Sequence, residues 1–274
     1  MRRSHKFLLL LALVIGGVML LRALPEPRTE RDWIAPQARQ ATAQVTGDEL
    51  VVRDVRNFRY DATGAVAREA WEERRYDLRR LNSAWLGVST FGGVPGVGHV
   101  FASFGFDDGR YLAVSVEARR EQGESYGVFA GAFREYELIY IVADERDVIG
   151  LRTNVWRDPV YLYPIVTEPQ ALRRAFLDAL ARATALDTQP EFYDTLANSC
   201  SVNLVRHVNF AVPGKVPGDL KVLLAAFSDA LAHEVGLIAF DGTLEQARAC
   251  FRVNERAAGD LDAGDFPARI RAQH

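Results

Sequence analysis

The chain opens with Arg2, Arg3, His5 and Lys6 and then runs from residue 7 to residue 21 without a charge. At roughly 1.5 Å of rise per residue such a run falls short of a ~30 Å hydrocarbon core. No small-residue cleavage pattern follows it in Arg22-Ala23-Leu24-Pro25. Residues 1–24 therefore read as an uncleaved signal anchor or transmembrane helix, with the cationic flank inside and the rest of the chain outside. Residues 25–44 have no apolar period, and 25–47 read as a juxtamembrane linker. An ordered domain is expected over 48–258 and a loosely held tail over 259–274.

Within the domain the first pattern has a period of two. Leu50-Val51-Val52, Phe58-Arg59-Tyr60 and residues 85–90 predict short strands. Residues 97–106 and 111–117 alternate, and Asp107-Asp108-Gly109 lies between them. A three-residue hairpin loop ends in a left-handed residue, which suits Gly109. This loop pairs Phe106 with Arg110. Counting back sets His99 opposite Glu117 on one face, with Cβ atoms ~5 Å apart. Residues 133–143, 148–153 and 160–164 continue the strand pattern.

The period then lengthens. Thr167-Glu168-Pro169-Gln170 has capping-box spacing with proline in the first turn. Leu172, Phe176, Ala179 and Leu180 follow at helical intervals. A second helix is predicted to start at Asn198 or Ser199, with Val202, Val205 and Val208 on one side. Further helices are predicted over 219–234 and, after Thr243 with Gln246, over 244–257. The fold class is α+β, an antiparallel sheet packed on helices.

A net charge of -3 with interspersed signs, and no basic stripe, excludes a nucleic-acid partner. The two cysteines raise a Cys200–Cys250 disulfide in an exported chain. A buried free Cys250 on the apolar side of its helix is the preferred reading. Neither Cys-x-x-Cys nor His-Glu-x-x-His is present, so no metal or cofactor is expected. The glycine-rich stretch 92–98 lacks the phosphate-loop lysine and reads as a loop leading into the His99 strand.

The chemistry rests on Cys200 and His99, a thiol and an imidazole being the minimum for covalent acyl chemistry. Cys200 is expected in the first turn of its helix, where free N–H groups and the helix dipole would lower its pKa. His99 would hold the proton and Glu117 would orient the ring. Ser115 faces the same side and is second choice for that role. Asn198, Ser103 and Arg120 are assigned supporting positions. His207 lies about two helical turns from Cys200, too far to be its base. His5 and His233 read as surface residues.

These segments carry a resemblance. The stretch from His99 to Phe106, Ser115-Val116-Glu117-Ala118-Arg119-Arg120-Glu121, Tyr136-Glu137-Leu138-Ile139-Tyr140 and Asn198-Ser199-Cys200 resemble the Lnb N-terminal periplasmic domain. Val55-Arg56-Asn57-Phe58, Asp144-Glu145-Arg146-Asp147, Leu151-Arg152-Thr153-Asn154 and Tyr161-Leu162-Tyr163-Pro164 add to it. The resemblance spans residues 48–250. It implies a circularly permuted papain-like fold of the NlpC type, with His99 as base and Cys200 as nucleophile. It also implies a lipoprotein N-acyltransferase role. Family members often have Asn and Cys adjacent, whereas Ser199 intervenes here. The expected protein is a periplasmic thiol acyltransferase anchored in the bacterial inner membrane, with a phospholipid or lipoprotein as substrate. An envelope amidase or peptidase of the same fold, and a non-catalytic envelope module, are the alternatives.

Overall fold

The computed structural model describes residues 16–17, 26–93 and 95–272. The strands are β1 (Thr42–Thr46), β2 (Glu49–Arg56), β3 (Arg59–Tyr60), β4 (Val66–Arg68), β5 (Trp71–Asp77), β6 (Leu81–Thr90), β7 (Gly98–Phe106), β8 (Tyr111–Arg119), β9 (Glu137–Ala143) and β10 (Val160–Pro164). Eight of them form one sheet in the order β1-β2-β9-β8-β7-β6-β10, with β5 also paired to β2, while β3 and β4 pair separately. The β2–β9 pairing is parallel and the others are antiparallel, so the sheet is mixed rather than purely antiparallel.

The β7–β8 hairpin has the expected register. The Phe106 N–H donates to the Arg110 carbonyl at 3.0 Å, and Gly109 sits at φ 80°. The ladder runs from Gly105↔Tyr111 to Phe101↔Ser115. Continuing its count by two residues sets His99 across from Glu117.

Within residues 26–272 the described helices are α1 (Val128–Ala132), α2 (Glu145–Gly150), α3 (Pro169–Leu186), α4 (Cys200–Ala211), α5 (Ser228–Glu234), α6 (Leu244–Phe251), α7 (Asn254–Ala257) and α8 (Phe266–Arg271). The pleat sends alternate β7 and β8 side chains to opposite faces. Val100, Phe104, Leu112, Val114 and Val116 join Leu172, Phe176 and Leu180 of α3 in one core. Phe101 and Ala113 join Ile139, Ile141, Val148, Ile149, Phe266 and Ile270 in a second core on the other face.

Several expectations fail for physical reasons. Residues 148–153 are not a strand: they lie in α2 and in a π-helical turn, Leu151–Val155. Val148, Ile149 and Leu151 are all buried, and a short continuous apolar run does not distinguish a buried helix from a strand. The 219–234 helix is reduced to two 3-10 turns followed by α5, and 244–257 splits into α6 and α7. The cap of α3 is Glu168 with no side-chain bond, although Pro169 starts the helix as expected. The Thr243–Gln246 capping box of α6 forms.

The stretch read as linker belongs to the fold. Trp33 and Ala41 are buried, and so are Gln37 and Gln40; the Gln40 amide donates to the Tyr140 carbonyl at 3.3 Å. The tail read as loose carries α8, whose Phe266 and Ile270 are buried and whose Arg271 pairs with buried Glu145. Among the described residues no helix is long and apolar enough to cross a membrane. The anchor expected over 1–24 lies outside them, apart from Gly16 and Gly17. Cys200 and Cys250 are both free thiols.

Candidate active site

Cys200 is the first residue of α4, with Ser199 at the N-cap. The preceding turn is locked from both sides. The Asn203 amide donates to the Ser199 carbonyl at 2.9 Å and to Asn198 Oδ1 at 3.0 Å, while the Asn198 amide donates to the Phe192 carbonyl at 2.9 Å. Asn198 therefore shapes the turn and does not line the cleft.

Helix α4 lies across β7, and the thiol comes to the end of the sheet where β7 begins and β8 ends. There it shares a cleft of about 330 Å³ with His99, Glu117, Arg120, Tyr126, Arg152, Trp156 and Tyr193. The three residues named as a triad are thus brought together, and Arg120 joins them. Ser103 is not among them. It sits further along β7, bonded to Glu145 beneath α8.

Ser115 stands between His99 and Glu117. His99 Nε2 lies 2.7 Å from Ser115 Oγ, and Ser115 Oγ lies 2.9 Å from Glu117 Oε1. The charges fix the direction of this relay. Burial alone would raise the Glu117 pKa, but the guanidinium groups of Arg152 and Arg56 hold it well below the usual carboxylate range. An ionised carboxylate only accepts, so Ser115 spends its single proton on Glu117. His99 Nε2 must then carry a proton and donate to Ser115. The lone pair is left on Nδ1, which has no hydrogen-bond partner among the described residues. The relay sets the tautomer that can take a proton from a thiol.

Two residues that sequence spacing did not single out complete the relay. Arg152 Nη2 is 3.3 Å from Glu117 Oε1, and its guanidinium also lies over the rings of Phe101 and Trp156. Gln37 Nε2 donates to Glu117 Oε2 at 3.1 Å. Arg152 belongs to the π-helical turn, a feature often found at functional sites.

The resting charge state differs from the expected thiolate. Burial pushes the Cys200 thiol up, and this outweighs the N–H groups of Val100, Ser201 and Cys200 itself, which act to lower it. Burial and Arg152 also push the His99 pKa down from 6.5 to about 3, against the pull of Glu117. The pair rests as neutral thiol and neutral imidazole, so the helix N-terminus softens the desolvation of Cys200 without reversing it.

A second space lies against this site. It is an apolar chamber of about 330 Å³ between the sheet and the helices, lined by Val100, Val114 and Val116 of the sheet and by Ser201, Leu204, Val205, Val208, Ala211 and Val212 of α4 and its end. Val116 lies in the walls of both spaces. The pleat thus turns His99 and Glu117 to the cleft and Val100 and Val116 to the chamber.

The other two described histidines, His207 and His233, are occupied elsewhere, and His5 lies outside the described residues. His207 is buried, with Nδ1 2.7 Å from Asp178 and Nε2 2.8 Å from the Tyr140 hydroxyl. His233 is half-buried rather than on the surface, and its Nε2 lies 2.8 Å from the Gly242 carbonyl. No group of acidic, histidine or cysteine side chains among the described residues has metal-binding geometry.

The molecule is thus an α+β domain in which a cysteine at a helix start shares a cleft with a histidine on the central sheet. Residues 67–226, more than half of the chain, match the Lnb N-terminal periplasmic domain, and the chain belongs to that family. No curated protein and no solved structure matches it.

Proposed function

We propose that this chain is a periplasmic cysteine acyltransferase with a permuted papain-like core, tethered to the bacterial inner membrane by residues 7–21. The observation that carries this reading is the apolar chamber beside Cys200. A peptide substrate calls for a polar cleft with backbone partners. A chamber walled by valine, leucine and alanine, sharing Val116 with the cleft, suits a hydrocarbon chain.

The chemistry follows from the charge states. His99 Nδ1 takes the Cys200 proton as the sulfur attacks the carbonyl of an acyl ester. The carbonyl–oxygen bond breaks, and the alcohol leaves with the proton from His99. An acceptor amine then attacks the thioester, giving its proton to His99, and the thiol is regenerated as the amide forms. Glu117, through Ser115, offsets the charge that His99 carries between these steps. A phospholipid or a lipidated protein supplies the ester, and the N-terminal amine of a lipoprotein is the acceptor.

The test uses purified protein, phospholipid and a diacylglyceryl lipopeptide, with product masses as the readout. Transfer to the lipopeptide is expected, with a loss of at least roughly a thousandfold in Cys200→Ala. A Cys200→Ala protein that still transfers acyl groups would sink the proposal. Cys200-dependent release of fatty acid or peptide without transfer would replace it with a hydrolase.

A further inference from the structure

The β8–β9 connection carries α1 and leaves apolar side chains in solvent. Phe129 is 83% exposed, Phe133 45%, Val128 42% and Tyr126 39%, and Leu196 on the facing turn is 54% exposed. Single exposed apolar residues are ordinary, but a contiguous group of this kind marks a surface with a partner. Phe129 and Phe133, four residues apart, project from one side of α1, and the turn that carries Leu196 is tied to this helix. Thr195 Oγ donates to the Val128 carbonyl at 3.0 Å, and the Thr195 N–H donates to the Gly131 carbonyl at 3.3 Å. Tyr126 also lines the Cys200 cleft, so the face runs into the site.

The chain itself indicates what covers it. The Arg28 N–H donates to Glu137 Oε1 at 3.1 Å, and Arg31 pairs with Glu121 at 2.5 Å and with Glu137 at 3.0 Å. Glu121 and Glu137 stand at the two ends of the connection that carries α1. The uncharged run 7–21 ends seven residues before Arg28, a tether of at most ~25 Å. An apolar run held in a bilayer keeps this end of the sheet at the membrane surface. Helix α1 itself, Val-Phe-Ala-Gly-Ala, carries no charge.

We infer that α1 and Leu196 form a bilayer-docking face, which beds Phe129 and Phe133 at the boundary of headgroups and acyl chains and turns the Cys200 cleft toward lipid. This deepens the acyl-transfer reading, but its test does not need activity. The full chain is reconstituted in vesicles of phosphatidylcholine and phosphatidylglycerol. Phe129→Trp is compared with unaltered protein, whose four tryptophans give the baseline. The added emission is expected to be blue-shifted and quenched by lipids brominated along their acyl chains. Emission typical of water, indifferent to bromine, overturns the inference. Blue-shifted emission without bromine quenching also overturns it, because a second copy or another protein then covers the face. In Phe129→Ser/Phe133→Ser, transfer from bilayer-embedded donors should fall about tenfold, while transfer from detergent-dispersed donors is unchanged. Equal loss from both donors overturns the docking role. Bromine quenching alongside a Cys200→Ala protein that still transfers acyl groups would leave the docking face standing and remove only the cysteine mechanism proposed above.

Discussion

Ser115 decides what His99 can do. Its hydroxyl is pinned to Glu117, so the imidazole donates through Nε2 and keeps Nδ1 open. In Ser115→Ala the ring loses this partner, and kcat should fall roughly 10- to 100-fold with an unchanged circular-dichroism spectrum. Ser115→Thr, which keeps the hydroxyl, should recover most of the loss. The neutral resting pair also has a kinetic signature. A histidine of ordinary pKa gives kcat/KM an acid limb near pH 6.5. With His99 pushed down to about 3, that limb should be missing through pH 5, and an acid limb near 6.5 in the free enzyme would contradict the assignment. Stability follows the same sign. A histidine whose pKa is lowered by folding costs nothing above its unfolded pKa of about 6.5 and destabilises the fold as pH falls below it. The slope is at most ~1.36 kcal/mol per pH unit, and less because the ring is half-buried. The stabilisation from Glu117, whose pKa is depressed, is lost only below about pH 4.3. Burial also lowers the His207 pKa, so between pH 7 and pH 5 both histidines contribute, and urea unfolding isolates His99 by difference: the unaltered protein should lose more stability between them than His99→Gln.

At the scale of elements, the site depends on how closely β6 and β7 pack. A Cβ at Gly87 would stand 2.1 Å from the Phe101 ring. That ring is fully buried, with its centroid 6.5 Å from the His99 ring, and it lies under Arg152. Gly87→Ala should thus cost about 1–3 kcal/mol by overpacking, read as a fall in Tm, and should disturb His99 and Arg152 together. Phe101→Leu in the same chain should restore part of both. This packing also explains which parts of the site were legible in the sequence. His99, Ser115 and Glu117 belong to one hairpin, so a turn type and an alternation suffice to bring them together. Cys200 was legible from the helix start at Ser199. Arg152 and Gln37 reach Glu117 from separate segments. Arg152 rides on a buried turn whose apolar run mimics a strand, and Gln37 sits in a stretch with no apolar period at all. Their placement depends on tertiary contacts that no local pattern encodes.

At the scale of the whole molecule, the same rule extends to the ends of the described chain. Trp33, Gln37 and Gln40 are buried and β1 forms an edge strand of the sheet, while α8 seals the second core with Phe266, Ile270 and the Arg271–Glu145 pair. Polar residues buried by hydrogen bonds and a single amphipathic turn leave no periodic trace, so both segments looked like spacer. The core beneath α3 and α4 is less completely filled, and this is where the molecule makes its most discriminating prediction. The chamber follows α4 from Ser201 to Val212, about 16 Å along the helix, and Cys200 stands at its near end. Ala175 of α3 lines it, so Ala175→Phe puts a ring into open space rather than into packed core. Tm should therefore hold or rise, in contrast to Gly87→Ala. If the chamber takes the acyl chain, the ring shortens what it can hold. The rate with long-chain donors should drop at least roughly tenfold, while short-chain donors keep most of theirs. A peptide-binding site elsewhere in the cleft would be indifferent to this substitution. Equal rates for both donor lengths, or equal losses, would therefore remove the chamber from the reaction and with it the main support for acyl transfer.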